Sequence, residues 1–218
     1  MNKFIIMGPQ GSGKGTQAKL LKEKFDLTHI SVGDIFRWHV QSHTKLAARI
    51  KRVIDAGQLV PDDIVEDIVQ TRLAEHDWNY GFILDGFPRN VEQARFFLES
   101  YDISAVIYID VPEAVTMRRA LARRVCAQCG LDYNLIFHRP EVEDTCDVCP
   151  GRLVPRADDN EQALRSRLDD FENKTRPVLE LFEAKELVLR IDGTADRQDV
   201  FEEILRKLDR HAEGVPAA

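Results

Sequence analysis

The sequence predicts an α/β fold, with a five-stranded parallel sheet covered by helices on both faces and a small irregular insertion near its middle. Three observations predict it. Short apolar runs alternate with amphipathic stretches along the first three-quarters of the chain. The runs are apolar nearly throughout, as in strands buried on both faces, rather than alternating apolar and polar. One segment, 126–157, breaks the alternation: it has no helical period, holds Gly130, Pro140, Pro150, Gly151 and Pro155, and carries every cysteine of the chain.

Each element follows from a local signal. KFIIMG (3–8) reads as the first strand, and KGTQAKLLKEKF (14–25) as a helix with Ala18, Leu21 and Phe25 on one side. LTHISVGD (27–34) is a second short strand running into a helix that starts at VGDIFRWHV. LAARIKRVIDAG (46–57) is helical and stops at Gly57. PDDIVEDIVQTRLAE (61–75) opens with Pro61 and two acids, a favourable first turn. GFILDG (81–86), AVIYIDV (105–111) and LVLRIDG (187–193) are further strands, each closed by a glycine or a proline. Helical patterns cover 113–125, 160–185 and 197–211, and AEGVPAA after the last is expected to be a loose tail.

Bulk properties exclude several function classes. At 218 residues the chain can bury a real core. Its 44% hydrophobic and 31% charged content is that of an ordinary globular protein. A net charge of -7 argues against a general nucleic-acid binder, which needs a basic face. No apolar run approaches membrane-spanning length. The opening MNKFIIMGPQGSGKG runs straight into glycines, without the apolar core of a signal peptide. Four cysteines at metal-ligand spacing suit a reducing cytosol better than a disulfide framework, so a cytoplasmic location is expected.

GPQGSGKGT (8–16), between the first strand and the first helix, fits the phosphate-loop spacing G-x-x-x-x-G-K with Gly8, Gly13 and Lys14. Glycines let successive backbone N–H groups turn inward around phosphate oxygens, and the helix behind adds its dipole. The residue after Lys14 is Gly15, where most such loops have the hydroxyl that ligates Mg²⁺. The metal must then be held mainly by nucleotide phosphates and water. Asp85, at the end of a strand, is placed to hold those waters, and Thr16 remains able to touch a phosphate.

A hydrolase would need a group to activate water, and GFPRN after Asp85 offers none. Arginines are there instead: Arg37, Arg89, Arg119, Arg123, Arg156 and Arg167 fall at strand ends or flank the insertion. Guanidinium groups bind phosphate oxygens in pairs. If the acceptor is itself a phosphate, it is already anionic and no general base is required. The six histidines are scattered and read as non-catalytic. Arg119 and Arg123, spaced i, i+4 in the pattern 113–125, are expected on one helix face and aimed at one ligand. Arg124, on another face, reads as solvated or structural.

GPQGSGKGTQ, GDIFR, GQLVPDD, LDGFPRN followed by a glutamine, ARRVC, RADDNEQALRSRL and IDGT together resemble the adenylate kinase family, in its long-lid, zinc-carrying bacterial form. The resemblance runs in the family's order from about residue 1 to about residue 205. It implies a P-loop kinase core (1–30, 61–122 and 161–218), an acceptor-binding subdomain (31–60) and a lid (123–160). The implied reaction is Mg·ATP + AMP ⇌ 2 ADP. Gly11, Ser12, Gly13, Lys14, Gly15 and Thr16 would hold the ATP phosphates, with Arg119 against the adenine, Arg123 at the phosphates and Ala195 on the same side. Arg37 and Arg89 would bind the AMP phosphate. Val32, Leu59, Val60, Gly86 and Gln93 would meet the acceptor nucleoside, Gln93 through a hydrogen bond to the base. Arg156 and Arg167 would clamp the transferring group and touch the acceptor, while Asp158 and Asp159 orient lid arginines and ribose. Lys14, Asp85, Arg123, Arg156 and Arg167 make up the implied catalytic set. The implied partners are ATP and AMP alone, with no nucleic acid and no membrane, and the family expectation is a monomer.

The sequence departs from the family in places. S-V-G-D replaces S-T-G-D, so Val32 stands where a threonine hydroxyl meets the acceptor base. Losing a specifying hydrogen bond can move base choice, which leaves another nucleoside monophosphate as an alternative acceptor. Trp38, Ala47 and Gln10 also differ from common residues, and Gln10 is read as neutral.

Cys126 and Cys129 are separated by residues 130–145 from Cys146 and Cys149, which fits C-x₂-C-x₁₅₋₂₀-C-x₂-C. Four thiolates leave no open position, so the expected Zn²⁺ is structural. Tyr133 and Phe137 between the pairs are read as hairpin packing. A zinc-ribbon nucleic-acid protein with an NTPase core would need basic residues around the cysteines, but PEVEDTCD and ADDNE are acidic. A P-loop switch or motor would need Ser or Thr after Lys14 and a water-positioning residue near Asp85, and the sequence has neither.

Overall fold

The computed structural model describes residues 2–77, 80–156 and 158–213. In chain order its elements begin β1 (Lys3–Met7), α1 (Lys14–Phe25), β2 (Thr28–Ser31), α2 (Val32–Gln41), α3 (Lys45–Asp55), α4 (Asp62–Ala74) and β3 (Phe82–Asp85). They continue with α5 (Val91–Ser100), β4 (Ala105–Asp110), α6 (Glu113–Leu121), β5 (Arg123–Cys126), β6 (Asp132–Asn134) and β7 (Leu153–Val154). The chain closes with α7 (Glu161–Asp170), a π-helical turn (Phe171–Thr175), α8 (Arg176–Glu183), β8 (Val188–Asp192) and α9 (Arg197–Ala212).

β2, β3, β1, β4 and β8 form, in that order, the predicted five-stranded sheet, and all its pairs are parallel. Both faces are buried. Ile5, Val106 and Tyr108 point to one side, into a core shared with Phe36, Phe97 and Phe182. Phe4, Ile6, Ile107 and Ile109 point to the other, against Leu21 and Ile204. Successive strand residues therefore face opposite cores, and this makes the strand runs apolar throughout. β1 ends between β3 and β4, where the chain passes from one half of the sheet to the other. Open α/β sheets bind ligands at such a crevice.

The insertion is a second, small antiparallel sheet in the order β6-β5-β7. Among the described residues its core is Cys126, Tyr133, Cys146 and Leu153, with Cys149 packed beside them. So few apolar side chains need a staple to hold a fixed shape.

Three sequence readings change. The helix expected over 113–125 ends at Leu121, and Arg123 opens β5, so Arg119 and Arg123 do not share a helix face. The cause is tertiary. Asn134 Nδ2 donates to the Arg119 carbonyl at 2.9 Å, and the Leu135 N–H donates to the Ala122 carbonyl at 2.9 Å. Arg124 Nη1 donates to the Leu121 carbonyl at 3.0 Å, which makes it structural. These donors satisfy carbonyls that a longer helix would have used. The pattern 160–185 is split by the π-helical turn, just ahead of Pro177, whose missing N–H breaks the helical ladder. Finally, α5 forms over a stretch that local patterning had not singled out; Asn90 caps it by accepting from the Gln93 N–H at 2.9 Å. The expected loose tail lies mostly at 214–218, outside the described residues, and α9 runs through Ala212.

Candidate active site

The phosphate loop is shaped by glycines in left-handed backbone conformations. Gly11 has φ +87°, and a Cβ there would lie 2.3 Å from the Thr116 carbonyl oxygen. Gly13 ends the loop at φ 94° and serves as the N-cap of α1. Lys14 folds back, its Nζ donating to the Pro9 carbonyl at 3.3 Å. Burial lowers its pKa to about 8 against the opposing pull of Asp85, and the charges of Arg89, Arg123 and Arg156 add to the lowering. A half-buried ammonium facing three guanidinium groups favours an anionic ligand.

The structure explains Gly15. A Cβ at that position would sit 3.2 Å from Asp85 Oδ2, tighter than ordinary contact. A side chain at this position would therefore crowd the carboxylate at the end of β3. Burial pushes the Asp85 carboxyl up, but contact with His29 and the charge of Lys14 outweigh this and hold it below the usual value. His29 Nε2 lies 3.9 Å from Asp85 Oδ2. An ionised carboxylate beside the phosphate loop suits the water shell of Mg²⁺.

Next to the loop opens a cleft of ≈ 610 Å³. Its lining includes Val32, Arg37, Leu59, Val60, Gly86, Arg89, Gln93, Arg156 and Arg167, drawn from 32–33, 36–37, 54–65, 86–93 and 156–167. Gln10, Phe36, Ile54, Gln58 and Val65 line it too, and sequence reasoning had not assigned them. For Gln10, Phe36 and Gln58 the motifs GPQGSGKGTQ, GDIFR and GQLVPDD were the available signal; Ile54 and Val65 lie in none of them. A second cleft, ≈ 520 Å³, contains Lys14 and shares Gln10, Leu59, Gly86, Arg89 and Arg167 with the first. Gln10 is not neutral: its Nε2 donates to Asp159 Oδ1 at 3.1 Å, joining the phosphate loop to the segment after the small sheet.

The arginines are held by carboxylates and carbonyls. Arg156 Nε donates to Asp158 Oδ1 at 2.7 Å, and Arg167 Nη2 donates to Asp158 Oδ2 at 2.7 Å. Burial raises the Asp158 carboxyl, but Arg156 and Arg167 more than offset it and keep it ionised far below the usual range. Burial also brings Arg156 and Arg89 down to about 10, helped by neighbouring guanidinium groups. Arg123 Nε lies 3.4 Å from Asp159 Oδ2, an ion-pair contact. Arg37 pairs with Asp34, one turn earlier on α2. Arg89 Nε donates to the Gly86 carbonyl at 2.8 Å, just beyond the cis Phe87–Pro88 peptide.

Arg119 stands apart from this group. Its Nη1 donates to the Gly193 carbonyl at 2.7 Å and its Nη2 to the Thr194 carbonyl at 3.2 Å, which brings it next to Ala195 in sequence. Its guanidinium lies 4.9 Å from the Phe137 ring centroid. Phe137 is 55% exposed, so it is not the hairpin packing residue expected. Ser12 is buried and Thr16 exposed at the start of α1.

The four cysteine sulfurs lie within 4.8 Å of one another. Cys126 Sγ and Cys149 Sγ are 3.3 Å apart, and Cys129 Sγ and Cys146 Sγ 3.7 Å. Tetrahedral Zn–S bonds of about 2.3 Å require sulfurs roughly 3.8 Å apart, so the cluster fits a four-thiolate zinc site. Backbone N–H groups of Gln128 and Cys129 point at Cys126 Sγ at 3.4 and 3.5 Å. Tyr133 does more than pack: its hydroxyl donates to Cys146 Sγ at 3.5 Å and accepts from the Asp147 N–H at 2.8 Å. Such contacts orient thiolate ligands.

A phosphate loop beside a cleft lined by four arginines has the layout of a P-loop phosphotransferase. The comparisons with known proteins name the family. A family model described as "Adenylate kinase" matches residues 6–187. The chain is 44% identical over 206 residues to an adenylate kinase of Clostridium tetani, covering 92% of this chain and 95% of that one. It is 42% identical over 214 residues to one of Methanocella arvoryzae, covering 94% and 99%. With one of Clostridium novyi it shares 40% over 217 residues, covering 97% and 99%. The chain belongs to the adenylate kinase family. Among the described residues no helix is long and apolar enough to cross a membrane.

Proposed function

We propose that the chain carries out Mg·ATP + AMP ⇌ 2 ADP by holding two nucleotides end to end across the phosphate loop, and that its side chains take the following parts. The phosphate loop, Gly11 to Thr16, and Lys14 grip the ATP phosphates; Arg119 and Ala195 meet the adenosine and Arg123 the phosphates. Arg37 and Arg89 bind the AMP phosphate, while Val32, Leu59, Val60, Gly86 and Gln93 receive the nucleoside. Arg156 and Arg167, shared between the partners, neutralise the equatorial oxygens of the moving group. Phosphoryl transfer needs alignment and charge neutralisation more than covalent help.

The observation that carries this reading is the clustering of Arg37, Arg89, Arg156 and Arg167 around one cleft beside the phosphate loop. Asp85 would hold Mg²⁺ through water, and the ion would supply charge neutralisation for the ATP phosphates. Zn²⁺ held by Cys126, Cys129, Cys146 and Cys149 would fix the shape of the flap and take no part in the chemistry. Residues 31–60 would close on the acceptor and 123–160 on the donor, with 1–30, 61–122 and 161–218 as the fixed core. Closure excludes water, which keeps ATP from hydrolysis. The reading includes a cytoplasmic monomer acting on small molecules, without nucleic-acid or membrane partners.

The test is ADP production from ATP with AMP, GMP, CMP or UMP as acceptor. AMP should give the highest kcat/KM. Turnover with none of the four would overturn the proposal, and a preference for another base would move it to a different acceptor.

A further inference from the structure

Gln93 is the only predicted base-contacting group with a polar side chain, since Val32 has no hydroxyl. It is 1% exposed and lines the larger cleft, so the orientation of its amide decides what a base can bond to. Two neighbours fix that orientation. Its Nε2 donates to Asp62 Oδ1 at 2.6 Å. Its Oε1 accepts from the Arg89 backbone N–H at 2.8 Å. An ionised carboxylate only accepts and a backbone N–H only donates, so a flipped amide would face a like group on both sides. Asp62 is itself pinned, because Asn90 Nδ2 donates to both of its oxygens, at 2.9 and 3.1 Å. Asn90 cannot turn without losing the bond that its Oδ1 accepts from the Gln93 N–H.

We propose that Asp62 is a specificity-determining positioning residue, which selects an adenine acceptor by locking the Gln93 amide. This deepens the proposed function and rests on its assignment of Gln93 to the acceptor base. After its internal bonds the amide keeps one N–H and one oxygen lone pair for a ligand. Adenine presents a ring acceptor, N1, beside an amino donor. Hypoxanthine and guanine present a ring N–H beside a carbonyl acceptor, the reverse pattern. An amide held one way matches one pattern and leaves buried groups unpaired against the other, and such mismatches discriminate strongly. Asp62 does this without lining the cleft, from the first turn of α4, where sequence reading gave it only a helix-starting role.

The experiment measures phosphorylation of AMP and inosine monophosphate, with ATP as donor, by the wild-type chain, Asp62→Ala and Asp62→Asn. The wild type should favour AMP. In both variants the ratio of kcat/KM for AMP over inosine monophosphate should fall at least about tenfold, mainly through KM for AMP, with KM for ATP within about twofold of wild type. Equal losses for both acceptors would mark Asp62 as merely structural and overturn the inference alone. A wild type inactive on AMP would overturn the acceptor reading as well. Should neither variant fold, the side-chain amide of Gln93 in the wild type decides. Its protons should exchange with solvent at least about tenfold more slowly than those of a free carboxamide; exchange at the free rate overturns the inference.

Discussion

Lys14 shows how one half-buried side chain ties stability to ligand binding. Its pKa in the folded chain, about 8, lies below the unfolded value of 10.5. Below the folded value both states are protonated and the folded state bears the full cost of the buried charge. As pH rises from about 8 to 10.5 the folded state loses its proton first, and that cost is relieved. The free chain should thus gain stability from this group across a window where binding weakens. We expect kcat/KM for Mg·ATP to fall above pH about 8, the Lys14 value. The corresponding fall in kcat should come at higher pH, because bound phosphates favour the ammonium form. A pH profile of both constants checks this. Asp158 has the opposite sign: its lowered pKa contributes stability above the unfolded carboxylate value, lost as pH falls below it. It is 4% exposed between Arg156 and Arg167. Asp158→Ala should destabilise the ligand-free chain by about 2 kcal/mol in denaturant melts, because two half-buried guanidinium groups lose a carboxylate partner and keep only Asp159. Saturating nucleotide should recover part of that loss, as its phosphates take the carboxylate's place.

At the scale of elements, the contiguous features were legible and the contacts between them were not. The phosphate loop and the cysteine pairs each lie within one stretch whose spacing carries the chemistry, and sequence alone located both. The end of α6 carries no local signal because ALARRV contains no glycine or proline; the small sheet stops the helix from outside, through Asn134 and Leu135. Gln10 was read as neutral because its partner, Asp159, is 149 residues away. Asp62 and Gln93, 31 residues apart, were each assigned a role, but nothing in either motif signals that their side chains meet. The small sheet yields its own prediction. With so slight a core, it should depend on its metal. Metal analysis should give close to one zinc per chain, and chelation should lower the melting temperature more than it lowers initial activity. Equal and immediate loss of both would indicate a catalytic metal instead.

At the scale of the whole molecule, the five-stranded sheet brings segments distant in sequence to one end. β1 delivers the phosphate loop, β3 delivers Asp85 and the turn to Arg89, and α7 delivers Arg167. The fold class was legible because both faces of the sheet are buried, so its strands announce themselves as continuous apolar runs. The arginine cleft was less so. Six scattered arginines suggested phosphate, but only the resemblance sorted them into donor and acceptor roles, since no local pattern encodes convergence. The central claim is that a phosphate, not water, receives the transferred group. ATP labelled in its γ-phosphate and incubated with AMP tests it most directly. The label should be recovered in the β-position of newly formed ADP, with little free phosphate released. Label recovered chiefly as inorganic phosphate, at a rate unaffected by AMP, would contradict the account.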